Sequence, residues 1–140
     1  MENKENKKEK LEDFKAAICS TVKSISNSHK IEVYFGNQNT KSSQNSVKLP
    51  EIEQDKNKIN FEEIRAIADS KSLRLRFSNR VTYKKFEPEG NISKKLYNIS
   101  EKIRCEKIGT SYFKGVKNNI EKFYQKRISD LDLKSSEDKI

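Results

Sequence analysis

Leu11, Phe14, Ile18, Val22 and Ile25 recur at spacings of 3, 4, 4 and 3, which puts all five on one stripe of a helix and predicts α structure over about 8–26. Ser26-Asn27-Ser28-His29 ends that pattern. Ile31, Val33 and Phe35 then alternate with Glu32 and Tyr34, and the alternation returns at Val47 and Leu49 before Pro50. This predicts a β-hairpin with a long polar loop, Gly36 to Ser46. Glu51 to Lys58 reads as a polar linker. Asn60-Phe61-Glu62-Glu63 resembles a capping box, so a helix begins near Phe61 with Ile64, Ile67 and Ala68 on one face. Leu73-Arg-Leu-Arg-Phe77 alternates with period two and fits a strand as well; continued helix is the reading adopted. After the punctuation at Pro88-Glu89-Gly90, a second stripe begins with Ile92, Leu96, Ile99 and Ile103 and resumes at Phe113, Val116, Ile120, Phe123 and Tyr124. One long helix, or two abutting ones, therefore spans about 91–131, with the phase slipping in the region of Gly109 and Gly115. The fold class predicted is mainly α with a small β-hairpin (α+β), antiparallel helices packed on two strands.

Composition narrows this picture. A chain of 140 residues suits one domain. Its first ten residues hold four Lys and three Glu, and the end from Lys134 is polar and charged, so 1–9 reads as a flexible charged tail, 10–131 as the domain and 132–140 as an acidic, linker-like tail. With 32% apolar and 36% charged residues and a mean hydropathy of -1.00, the core must be small. A thick sandwich or a doubly wound sheet is excluded, and stability that depends on a partner is expected.

The net charge of +9 invites a nucleic-acid hypothesis. Residues 71–127 hold 16 Lys and Arg against 5 Asp and Glu, so the basic charge belongs to the C-terminal half. Only six cations are Arg (Arg65, Arg74, Arg76, Arg80, Arg104, Arg127), and Arg is the favoured fork for phosphates and bases. Abundant Lys, Asn and Ile fit a general compositional bias better. Tyr83, Phe86, Tyr97, Tyr112, Phe113, Phe123 and Tyr124 are interspersed with Lys as in a base-stacking surface, yet half of them fall on the apolar stripe, which favours core packing. Cys19, Cys105 and the single His29 give no zinc spacing and imply two reduced thiols. The charged start and the short uncharged run Ala16 to Val22 suit neither a leader nor a membrane span, so a soluble cytoplasmic protein is expected.

Familiar site motifs are missing. Four glycines form neither Gly-x-x-x-x-Gly-Lys nor Gly-x-Gly-x-x-Gly. Asp69-Ser70-Lys71-Ser72 has the wrong spacing for a metal-ion-dependent adhesion site, and Glu62 and Glu63 point apart on a helix and suit a cap better than acid/base work. No catalytic, cofactor-binding or metal-ligating residue is assigned. The most informative stretch is 101–120. Glycine inside a helix is worse than alanine by ~1 kcal/mol, so Gly109 and Gly115 mark close approach by another element or a joint between helices. Glu101 and Arg104 share a helix face, as a surface ion pair or a pin between elements.

Several collinear segments resemble the N-terminal region of the CobT subunit of aerobic, ATP-dependent cobaltochelatase. They are Phe14-Lys-Ala-Ala17 with Ile25-Ser26, Ile31-Glu-Val-Tyr-Phe-Gly36, Lys48-Leu-Pro50, Arg65-Ala-Ile-Ala-Asp69 leading into Leu73-Arg-Leu-Arg76, and Pro88-Glu-Gly90. The family's Glu-x-x-Arg-x-Glu-x-x-Gly and following Met-x-Gly-Val-x-x-Asn are matched by Glu101, Arg104, Glu106, Gly109, Gly115, Val116 and Asn119, with Phe113 at the Met position. The resemblance implies a noncatalytic subunit of a machine that inserts cobalt(II) into hydrogenobyrinic acid a,c-diamide. It also implies an AAA+ ATPase subunit and a large tetrapyrrole-binding subunit as partners, with ATP, Mg and cobalt used by the complex and none bound by this chain. Those seven matching residues become candidates for partner contact. The chain departs from the family in two ways. Ser78-Asn79 stand where the family carries His-Asp, and the acidic residues after Ser129 read as the start of a linker whose following von Willebrand A domain is absent. A basic helical nucleic-acid-binding module, or a truncated nonfunctional remnant, is the alternative.

Overall fold

The computed structural model describes residues 2–37, 45–52 and 61–137. Five helices and two short strands follow in the order α1 (Glu2–Ser26), β1 (Glu32–Phe35), β2 (Ser46–Leu49), α2 (Phe61–Phe77), α3 (Arg80–Lys85), α4 (Asn91–Tyr112) and α5 (Lys114–Glu137). The fold is mainly α. The expected Asn60 cap, most of the Gly36–Ser46 loop and most of the 51–58 linker lie outside the described residues. None of the described helices is long and apolar enough to cross a membrane.

Helix α2 is the central element, and its two sides carry separate clusters. On one side Ile64 and Ala68 meet Leu11, Ile18 and Val22 of α1, with Val47 and Leu49 of β2 and flanking Ile31 and Ile52 closing the cluster. Ile18 and Val22 are fully buried, and burying such a side chain is worth ~1.5–3 kcal/mol. On the other side Leu73 packs with Ile25, Val116 and Ile120, joined by Phe77, Phe113 and Tyr124. The sequence Leu73 to Phe77 continues the helix because α2 has neighbours on both sides: Leu73 faces one cluster and Leu75 the other. A two-sided helix need not show the single stripe of a surface helix.

Two features of arrangement differ from the expected antiparallel hairpin architecture. The strands pair in parallel, Val33 opposite Val47 and Phe35 opposite Leu49. Alternation fixes which residues of a strand face the core, and it is the same for either direction of pairing. Helix α1 runs beside α2 in the same direction, with Phe14 against Phe61 at 4.3 Å between ring centres and the Ile25 carbonyl accepting from Arg76 Nη1 at 3.1 Å. Helix α5 is antiparallel to α2: Asn119 reaches Asp69, while Lys126 and Arg127 lie by Glu62 and Glu63.

Local chemistry explains the helix ends. Asn27 takes the left-handed conformation (φ 56°), and the Ser28 N–H reaches back to the Lys23 carbonyl, closing α1. Asn79 caps α3 by accepting from the Thr82 N–H at 3.0 Å. The long C-terminal stripe divides into two helices at Phe113, whose extended backbone (φ -119°, ψ 98°) interrupts the run. Helices α1 and α5 extend beyond the apolar stripes that predict them, from Glu2 and to Glu137. His29 is exposed in the turn after α1.

Candidate functional site

The Glu101–Asn119 region converges on the second half of α2. Arg104 sits one turn after Glu101, and its guanidinium forks onto that carboxylate, Nε to Oε2 at 2.8 Å and Nη2 to Oε1 at 2.9 Å. Nη2 also donates to the Phe77 carbonyl at 2.8 Å, a backbone acceptor at the C-terminus of α2 that has no partner within its own helix. Arg104 thus pins α4 to the end of α2, where a cation also complements the helix dipole. The hydrogen bond from Arg104, with a further one from Ser78, holds the Glu101 carboxyl well below the usual range, at about 2. Ser78 and Asn79 therefore have structural work of their own at the α2–α3 joint.

Deeper in the same contact lies a polar core. Glu106 is 6% exposed and accepts twice, at Oε1 from the Ser70 hydroxyl at 2.5 Å and at Oε2 from the Tyr124 hydroxyl at 2.8 Å. One carboxylate therefore ties α4 to both α2 and α5. Burial, and secondarily its hydrogen bond to Glu106, push the Tyr124 phenol up to about 12. Asp69, fully buried, accepts from Asn119 Nδ2 at 2.7 Å through Oδ2. Its Oδ1 lies 3.4 Å from Arg65 Nε, outside hydrogen-bonding geometry. Burial raises the Asp69 pKa, while Asn119 and Arg65 oppose that shift. A buried carboxylate is tolerable only with such partners.

The two glycines differ sharply. A Cβ on Gly109 would stand 2.1 Å from Leu73 Cδ2 and 2.8 Å from Leu73 Cγ, so only glycine lets α4 rest on the fully buried Leu73. A Cβ on Gly115 would meet nothing within 4 Å. Val116 is buried beside Leu73. Glu101, Arg104, Glu106, Gly109, Val116 and Asn119 are accordingly brought together around α2, and Gly115 is not.

Among the described residues no group of three or more His, Cys, Asp or Glu is placed to hold a metal ion. The arrangement brings hydroxyl, amide and carboxylate groups into mutual satisfaction and fixes three helices in one register. That is a structural junction. Its spacing coincides with the Glu-x-x-Arg-x-Glu-x-x-Gly and Gly-Val-x-x-Asn pattern, and the family model of cobalamin biosynthesis protein CobT matches residues 8–139. The chain belongs to the CobT family. No solved structure matches it. The CobT match runs from within α1 through all seven elements, so the junction is embedded in the matched region.

Sequence reasoning missed Asp69, Ser70 and Tyr124 as members of this junction. Asp69-Ser70-Lys71-Ser72 sits mid-helix, where three polar residues that compete with backbone hydrogen bonding are poor helix formers. Their burial is the signal that such a run has partners elsewhere in the fold: Asp69 and Ser72 are fully buried and Ser70 nearly so.

Proposed function

We propose that this chain is a noncatalytic subunit or module of the aerobic, ATP-dependent cobaltochelatase, supporting insertion of cobalt(II) into hydrogenobyrinic acid a,c-diamide. Membership of the CobT family carries the reading and places the chain in cobalamin biosynthesis. The partners in this reading are an AAA+ ATPase subunit and a large tetrapyrrole-binding subunit; ATP, Mg and cobalt belong to the complex. The buried carboxylates support a noncatalytic role, because Glu106 and Asp69 are turned onto partners inside the chain. A scaffold of this kind would contribute rigid geometry: three helices clamped by Arg104, Glu106 and Asn119 move as a unit.

The experiment is co-expression of the 140-residue chain with the other two subunits, followed by affinity capture and an absorbance assay for cobalt insertion into the corrin. Capture of either subunit, with insertion dependent on the chain, is the expected result. Absence of any association would defeat the reading. Tight, steeply salt-dependent binding to RNA or duplex DNA would favour a nucleic-acid module instead.

A further inference from the structure

The stripe Ile92, Leu96, Ile99 and Ile103 lies open to solvent. These residues are 78%, 61%, 50% and 55% exposed, while the buried side of α4 is formed by Cys105, Glu106 and Gly109. An apolar row of three turns is thus open on the first part of a helix whose last two turns are docked.

Its spacing of 4, 3 and 4 is the a/d repeat of a coiled-coil seam, narrower than the broad apolar face of a helix lying in a membrane interface. With Ile92 and Ile99 at d and Leu96 and Ile103 at a, the flanking e and g positions carry Ser93, Lys95, Ser100, Lys102 and Lys107. No flanking position carries an acid, and the reason is structural. The two carboxylates of α4 are Glu101, forked by Arg104, and Glu106, buried against Ser70 and Tyr124. The open seam is therefore flanked by Ser93 and Ser100 and by the lysines Lys95 and Lys107, while Lys102 turns inward, 3.9 Å from Glu106 Oε1 and over the Tyr124 ring. A second copy presenting the same seam would bring only lysines and serines, and no acid, to face Lys95 and Lys107.

We propose that the open stripe of α4 is a docking seam for an acidic amphipathic helix of another protein, with apolar a/d residues against Ile92, Leu96, Ile99 and Ile103 and glutamates facing Lys95 and Lys107. The proposal rests on the reading above only for which assembly supplies that helix.

Two synthetic heptad peptides test it, identical in their leucine and isoleucine a/d residues and carrying Glu or Lys at every e and g. The Glu peptide is expected to bind the full chain, to lose at least tenfold in affinity against Ile99→Ser/Ile103→Ser, and to weaken with salt. In Lys95→Glu/Lys107→Glu the preference is expected to switch to the Lys peptide. Circular dichroism and urea unfolding confirm that the variants keep the fold. Equal binding of both peptides, binding unaffected by the serine substitutions, or no binding would overturn the proposal. So would serine-sensitive sedimentation with phosphatidylserine vesicles, or serine-sensitive self-association, in place of peptide binding. In the co-expression assay, capture that survives Ile99→Ser/Ile103→Ser defeats the seam while leaving the chelatase reading intact; absence of capture by the unsubstituted chain defeats the chelatase reading without touching the peptide result.

Discussion

The two halves of α4 exchange the roles that their residue types suggest. Its first three turns carry four large aliphatic side chains and leave them in solvent, whereas its last two turns carry a cysteine, a glutamate and a glycine and bury them. The difference teaches that amphipathic periodicity identifies a helix and its faces but not which face meets the core. Here the face that docks on α2 is chosen by steric fit at Gly109 and by the directional bonds of Glu101, Arg104 and Glu106. Those few contacts outweigh a longer apolar stripe because each would leave a buried polar group orphaned, or a backbone too distant, in any other rotation.

The sharpest way to break this contrast is at Gly109. Gly109→Ala gains helix propensity of ~1 kcal/mol but drives a methyl into Leu73, and overpacking of this kind costs ~1–3 kcal/mol, occasionally more. A net loss of up to ~2 kcal/mol in urea unfolding is expected. Leu73→Ala alone opens a cavity and costs ~2–5 kcal/mol, and the double variant is expected to cost less than the sum, because each change relieves the other. Additive values would show that the close approach is not what fixes α4.

Next in size is Glu106→Ala, which leaves the Ser70 and Tyr124 hydroxyls without their acceptor and is expected to destabilise by ~1–3 kcal/mol. It carries a spectroscopic signature as well. The Tyr124 phenol, pushed up to about 12 in the folded chain, should ionise at lower pH in an alkaline absorbance titration of the variant.

Glu101 gives a smaller, pH-dependent effect. Its folded pKa of about 2 lies below the ordinary 4.5, so its contribution is present above the unfolded pKa and is lost as pH falls from about 4.5 to about 2. Arg104 is 48% exposed, and screening holds the contribution to ~1 kcal/mol or less. In Glu101→Gln the acid-side fall of the urea midpoint over that window should be shallower; an unchanged profile would remove the fork from the account.

Smallest of all is Ile99→Ser. If the first half of α4 is open, the substitution shifts stability by no more than ~0.5 kcal/mol, whereas loss of a buried isoleucine would cost several times that. Thermal unfolding at one protein concentration separates the two cases.

Much of this fold is readable from the chain. The stripes of α1 and α5 place Leu11, Ile18, Val22, Val116 and Ile120 in the core, where they lie. Legibility fails where one signal serves two geometries. Alternation at Val33 and Val47 fits parallel and antiparallel partners alike, and the stripe of α4 fits a core or a seam. The junction is half legible: Glu101, Arg104 and Glu106 stand out as an alternating charge group, and Gly109 because a mid-helix glycine is locally costly. Asp69, Ser70 and Tyr124 do not, since their roles arise from contacts 18 to 50 residues away in the chain.

Cys105 gives the junction a clock. Its thiol is fully buried where α4 meets α2, and burial raises its pKa, whereas Cys19 is partly accessible on α1. A thiol reagent will mark Cys19 at the rate of a surface group and Cys105 only during excursions that lift α4 from α2. The ratio of the two rates, followed in one reaction tube, reads out how often the three-helix clamp opens and how a bound partner slows it.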